Sequence, residues 1–308
     1  MAEPYAHGML AVGDGNQMYW EICGNPDGKP LVLLHGGPGQ GCNPGMRDTY
    51  DLERYRVVLY DQRGCGRSTP NAADPATDMS VNTTAHLIAD LELLREHLGI
   101  DRWLLRGASW GCTLALAYAQ RYPHRVSAIV LSAIMTCRRE EIEWLYGGAS
   151  RFFPEEYERF AGGDPDVDHL VADYARRLAS PDRDVQAQAA LAWGRWEDVV
   201  LSLEPNARPG AFSGPIDDDL LAITRICAHY FANHAWLEDS QLIRDAGALA
   251  GIPGALTHGR LDLSCPVTTA YELAAAWPDA DLFVCDQSGH RGSPAKGDFL
   301  RAAVARLA

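Results

Sequence analysis

The sequence predicts an α/β protein with a mostly parallel central sheet and a helical insertion, and three observations carry that prediction. Apolar runs such as "LVLL", "RVVLY" and "SAIVL" end abruptly in glycine or polar residues, as strands buried on both faces do. Helical patterns alternate with these runs, which predicts right-handed crossovers between parallel strands. The alternation then stops from about Met135 to Ala246, where the chain turns helical, acidic and rich in Trp and Tyr, and resumes afterwards. The expected arrangement is a discontinuous core, residues 1–134 and 247–308, carrying an inserted helical unit at residues 135–246.

Taken in order, "MYWEICGNPDGKP" reads as a strand followed by a turn rich in Gly, Pro, Asn and Asp. "LVLLHGGPG" and "YRVVLYDQRGCGRS" are strands that end in glycine-rich loops. "SVNTTAHLIADLELLREHLG" has apolar residues at three- and four-residue spacing and a glycine stop, which predicts a helix. "RWLLRG" is a short strand, "SWGCTLALAYAQRYP" a helix closed by proline, and "RVSAIVLSA" the next strand. Amphipathic pieces follow: "EEIEWLYGG", "PEEYERFAGG", "DHLVADYARRLAS" and "AQAALAWGRWEDVVLSL". The strands "PGALTHG" and "DLFVCD" then flank the helix "TTAYELAAAWP", and "KGDFLRAAVARLA" ends the chain as a helix.

Composition narrows the function. A net charge of −14 over 308 residues argues against a nucleic-acid partner, which rewards clustered Lys and Arg. The eight cysteines form no C-x-x-C pair and no Cys/His group with zinc-ligand spacing, so no metal is expected. "MAEPYAHGML" has neither the basic start nor the apolar run of a signal peptide. The longest apolar stretch, "VSAIVLSAIM", is far shorter than the ~20 residues that span a bilayer. A cytoplasmic protein without a membrane partner is the expectation.

"GASWG" is where chemistry enters. It follows a predicted strand and opens a predicted helix, the context of a nucleophile elbow holding Ser109 above the sheet. A serine nucleophile needs a base and an acid to orient it. "HGRLD" places Asp262, and "DQSGH" places His290, each just after a late strand, where such a sheet gathers its active site. Asp286 is the rival acid, set close to the end of its own strand. In "HGGPG" the glycines let backbone approach a substrate carbonyl, so the Gly37 N–H is paired with that of Trp110 as oxyanion donors.

With these elements in order the chain resembles the prolyl iminopeptidase (proline aminopeptidase) family of serine peptidases, almost end to end. The resemblance is carried by "GNPDGKPLVLLHGGPG", "YDQRGCGRSTP", "GASWGCTLALAYAQRYP", "WGRWE", "RICAHYF", "HGRLDLSCP", "AAAWPDADL" and "SGH". It implies an α/β-hydrolase core under a helical cap, no cofactor, and release of an N-terminal residue, preferably proline, from small peptides or aminoacyl amides. It also supports Ser109, Asp262 and His290 as the triad. Glu197 matches a cap glutamate to which the family assigns amine recognition. Trp193 and Trp196 beside it are expected to wall an apolar pocket, and Cys227 and Tyr230 of "RICAHYF" are placed with the substrate contacts. Family members commonly carry a second glutamate where this chain has Cys227. That departure keeps an alternative open: an amidase, esterase or acyl-transferring hydrolase dedicated to one metabolite. The oligomeric state is not read from the sequence.

Overall fold

The computed structural model describes residues 2–164, 166–210 and 212–307. Its centre is an eight-stranded sheet: β1 (Ala6–Gly13), β2 (Asn16–Gly24), β3 (Lys29–Leu34), β4 (Tyr55–Tyr60), β5 (Trp103–Ser109), β6 (Val126–Ile134), β7 (Gly254–Gly259) and β8 (Ala280–Cys285). The strand order is β1-β2-β4-β3-β5-β6-β7-β8, antiparallel at β1–β2 and β2–β4 and parallel from β4 through β8. β3, β4, β6 and β7 are buried almost throughout, as their unbroken apolar runs require. β1 has no counterpart in the sequence reading. It is an edge strand whose side chains alternate between half-buried and exposed up to the buried Val12, and its apolar run "MLAV" lies on both faces of that alternation.

Helices α1 (Thr84–His97) and α2 (Trp110–Arg121) serve as crossovers between β4, β5 and β6. Every helix or strand from β6 to β7 is helical: α3 (Arg139–Tyr146), α4 (Pro154–Ala161), α5 (Val167–Leu178), α6 (Arg183–Val200), α7 (Asp218–Ala232) and α8 (Gln241–Arg244), with short 3-10 turns. An aspartate opens three of them. Asp166, Asp182 and Asp217 each accept a backbone N–H of the first turn of α5, α6 and α7. Within this segment Phe160 stacks on Trp196 and Tyr174, an aromatic centre that packs the helices on one another. β7 rejoins the sheet beside β6, pairing Ile129 with Gly254 through Ser132 with Thr257. Helices α9 (Val267–Ala276) and α10 (Pro294–Leu307) complete the chain, with Ala308 outside the described residues. No described helix is long and apolar enough to cross a membrane.

Candidate active site

Ser109 ends β5 and precedes the first residue of α2, at φ 55° and ψ −126°. A non-glycine residue in that region is strained, and the surroundings explain how it is held. A Cβ on Gly107 would lie 2.4 Å from the Gly111 carbonyl oxygen, and one on Gly111 would lie 2.1 Å from that of Leu34. Both outer glycines of "GASWG" are therefore demanded by close backbone packing. The pattern is a built turn.

The loop after β3 lies against this turn, since a Cβ on Gly36 would sit 3.6 Å from Ser109 Cβ. Gly37 has φ +109°, and a side chain there would meet the Gly39 nitrogen at 2.6 Å. The Trp110 N–H belongs to the first turn of α2, where backbone donors have no partner inside the helix. The Trp110 side chain is fixed separately, its Nε1 donating to Gln62 Oε1 at 2.9 Å.

Asp262 and His290 meet after β7 and β8. His290 Nδ1 lies 3.0 Å from Asp262 Oδ2 and 3.2 Å from Oδ1. An ionised carboxylate only accepts, so Nδ1 carries the proton and Nε2 is left with its lone pair. The backbone N–H of Cys265 also donates to Asp262 Oδ1, at 2.8 Å. Burial alone pushes the Asp262 carboxyl up, but the His290 charge and hydrogen bond outweigh it and hold the group below its ordinary value. For His290 burial works downward and Asp262 upward, and Asp262 wins, leaving the imidazole above its ordinary value. Asp286 is not involved: it is exposed and paired with Arg260 at 2.5 Å. His258 is buried behind Asp262, its Nδ1 accepting from the Ile134 N–H and its Nε2 meeting the Cys265 carbonyl.

Ser109 and His290 line one cavity of about 520 Å³, together with Gly37, Trp193, Glu197 and Cys227. No hydrogen bond joins Ser109 to His290 among the described residues, and such catalytic bonds commonly tighten only when substrate is present. Asp262, Cys265 and His290 bring three potential metal-ligand atoms within 4.8 Å of one another. Burial holds the Cys265 thiol well above its ordinary value, so it stays protonated and is a poor third ligand.

Glu197 accepts from the Tyr146 hydroxyl at 2.7 Å. Burial raises its carboxyl, against the opposing pull of Tyr146 and His290. The Cys227 thiol donates to the Pro38 carbonyl at 3.2 Å, and burial keeps it protonated. Cys227 therefore adds no charge to the cavity.

Two expected substrate contacts are elsewhere. α6 presents Trp193, Gly194, Glu197 and, just past its end, Leu201 to the cavity; α7 presents Ile223, Thr224, Cys227 and Phe231. Both sets follow one helical face, and each successive residue turns about 100° away. Trp196 thus falls outside the cavity, stacked on Phe160 with Nε1 donating to the Leu145 carbonyl. Tyr230 falls behind Trp110, its ring edge-on at 4.8 Å and its hydroxyl donating to Asn82.

One carboxylate escaped the sequence reading. Glu204, just past α6, accepts the backbone N–H of His290 at 2.5 Å and of Arg291 at 3.1 Å. A Cβ on Gly289 would lie 2.2 Å from Glu204 Cδ, so the glycine of "SGH" makes room for this clamp. Nothing in "SLEPNARPG" signals a partner 86 residues away.

With the site in view, comparison with known proteins is decisive. The family model for the alpha/beta hydrolase fold matches residues 29–293. A probable proline iminopeptidase of Streptomyces coelicolor is 48% identical over 99% of this chain and 96% of its own length. This chain belongs to the proline iminopeptidase family. A proline iminopeptidase of Xylella fastidiosa is 46% identical over 93% of this chain and 91% of its own length. Among solved structures, a proline iminopeptidase-related protein of Thermus thermophilus superposes with a TM-score of 0.59 at 25% identity, covering 98% of both chains. The sheet order and the strand–turn–helix at Ser109 are those of the alpha/beta hydrolase fold to which the proline iminopeptidases belong.

Proposed function

We propose that this chain is a serine hydrolase that releases an N-terminal residue, proline preferred, from small peptides or aminoacyl amides through an acyl-enzyme. The observation that carries the reading is the Glu197 carboxylate on the wall of the cavity that also holds Ser109 and His290. A substrate's free α-amino group is largely cationic at neutral pH, and a carboxylate on this wall is its natural partner. Trp193 supplies apolar surface for a pyrrolidine ring. The relatives named above are proline iminopeptidases, which favours the same substrate. On this reading residues 135–246 act as a cap over a core of residues 1–134 and 247–308.

The chemistry follows from the geometry. His290 Nε2 takes the Ser109 proton as Oγ attacks the acyl carbonyl. Asp262 holds the Nδ1 tautomer and stabilises the imidazolium that forms. The Gly37 and Trp110 N–H groups bind the tetrahedral oxyanion, each such donor being worth about 3 kcal/mol in kcat. The amine departs with the proton from His290, leaving an ester on Ser109. Water then attacks that ester, giving its proton to His290, which returns it to Ser109 Oγ.

The test compares prolyl-, alanyl- and acetyl-coumarylamides. We expect prolyl to be turned over fastest and Ser109→Ala to lower kcat by about ten-thousand-fold or more. Glu197→Gln should lower kcat/KM for the free amines by about 30- to several-thousand-fold and spare the acetyl substrate. Faster turnover of the acetyl compound by the unaltered enzyme removes Glu197 as the amine anchor.

Cys227 favours a second reading, a hydrolase dedicated to one metabolite, because a protonated thiol stands where a second carboxylate is expected in the family. Appearance of proline aminopeptidase activity only in Cys227→Glu would support it.

A further inference from the structure

The cavity lining comes from two unlike sets of elements. The inserted helices α6 and α7 supply Glu197, Trp193 and Cys227. The sheet and α10 supply Arg106 on β5, Ser132 on β6 and Lys296, with Tyr50 from the segment between β3 and β4. Arg106 shares a face of β5 with Leu104, two residues away, which packs in the cluster with Ala303 and Val304 of α10.

The cations of this second set have only neutral partners. Arg106 donates from Nε to the Tyr50 hydroxyl at 2.9 Å, from a terminal nitrogen to Ser132 Oγ at 2.9 Å, and to the Gly107 carbonyl. The Lys296 side chain is buried at 3% exposure, and Nζ reaches only the carbonyls of Gly289 and His290, at 3.3 and 3.4 Å. Neither makes an ion pair among the described residues. The carboxylate charges that act on Lys296 are those of Asp262, bonded to His290, and Glu204, bonded to two backbone N–H groups. In a chain of net charge −14 such a deficit of counter-charge is conspicuous, because buried charges are ordinarily paired. Arg225 also lacks an ion pair. It differs in donating to four loop carbonyls, of Ala72, Asp74, Pro75 and Thr77, and in lining no part of this cavity.

We propose that Arg106 and Lys296 form an anion subsite that holds a carboxylate on the leaving-group side of the substrate. The substrate class is then a short peptide or amide with a free acid one or two residues beyond the scissile bond. This inference rests on the reading that Ser109 is the nucleophile and Glu197 the amine partner. The scale is suitable: three residues of β5, about 10 Å, separate the Arg106 and Ser109 backbones, and the long Arg106 side chain covers much of that span. A substrate held by its amine at Glu197 and its acid at Arg106 and Lys296 would have its scissile carbonyl set over Ser109 from both ends.

The experiment measures binding, by titration calorimetry on the Ser109→Ala enzyme, of prolyl-glycine, prolyl-glycyl-glycine and their C-terminal amides. At least one acid should bind about 10- to 100-fold more tightly than its amide, the worth of a charged hydrogen-bonded pair. Arg106→Met in that background should bring the ratio close to one. Lys296→Met, on a different element, should lower it if Arg106→Met fails to fold. Acid and amide binding within about two-fold of each other, no measurable acid binding, or a preference that survives both substitutions overturns the subsite. Prolyl-coumarylamide has no carboxylate, so its turnover by the Ser109 enzyme reports on the hydrolase reading alone. Turnover with an acid-to-amide ratio near one leaves the hydrolase standing without the subsite; no turnover with a preserved ratio leaves the subsite without the hydrolase.

Discussion

Two clusters of buried charge in this molecule are built on opposite rules. Beside the loop after β4, three cations are matched by carboxylates. Arg63 forks onto Asp90 at 2.7 and 2.8 Å, Arg47 onto Glu21 at 2.8 and 2.9 Å, and Arg67 bridges Asp61 and Glu21 at 2.7 and 2.9 Å. Along the cavity, Arg106 and Lys296 face neutral oxygens, and Glu197 has the Tyr146 hydroxyl. The first cluster completes itself and holds loop to sheet: Asp61 also accepts the Cys42 and Arg67 backbone N–H groups. The second, on the proposal above, is completed by a charged ligand. Arg225, satisfied by four loop carbonyls away from the cavity, shows that a missing carboxylate alone does not mark a site; the cavity lining does.

The strongest way to break this contrast is to remove one charge from each cluster. Asp90→Asn removes the buried carboxylate of Arg63, leaving it the part-exposed Asp14 at 3.1 Å, and should cost about 3 kcal/mol, read as a lower urea midpoint. Arg106→Met strands nothing, and should cost about 1 kcal/mol for its lost hydrogen bonds. Equal losses would erase the distinction.

Next in size is Glu204, whose charge belongs to the site although its bonds resemble architecture. Glu204→Gln should lower kcat by about 10- to 100-fold, as displacement of a catalytic group does, with KM within about two-fold. It should also move the acid limb of the pH profile downward, because Glu204 raises the His290 imidazole. A change in KM with an unmoved limb would make the residue merely structural.

The smallest effect is the position of that limb in the unaltered enzyme. On the proposed mechanism His290 takes the Ser109 proton only when neutral, and its folded value lies above the ordinary 6.5. Activity should therefore fall as pH drops through a value above 6.5 in a profile of kcat/KM for prolyl-coumarylamide. Asp262→Asn, which removes the raising charge, should shift the midpoint lower in whatever activity remains.

Much of this was legible from local pattern. Unbroken apolar runs marked the inner strands, and glycines at 107 and 111 marked a turn with no room for Cβ. The half-exposed edge strand β1 was not read from the sequence, although it holds the short run "MLAV". Helical period also separates Trp193 and Glu197, four residues apart on the cavity face, from Trp196, although both tryptophans stand beside Glu197 in the sequence.

By itself the sequence determined the alternation of strands and helices and the strand–turn–helix around Ser109, and it nominated Asp262 and His290 as an acid and base. These follow from chain periodicity and steric rules acting over a few residues. Only the tertiary structure decided that Asp262 and not Asp286 meets His290, that Glu204 clamps the loop bearing that imidazole, and that Arg106 and Lys296 share a cavity without counter-ions. The physical reason is that a charge's partner is whatever the folded chain brings within hydrogen-bonding distance, and separation along the chain does not set that distance.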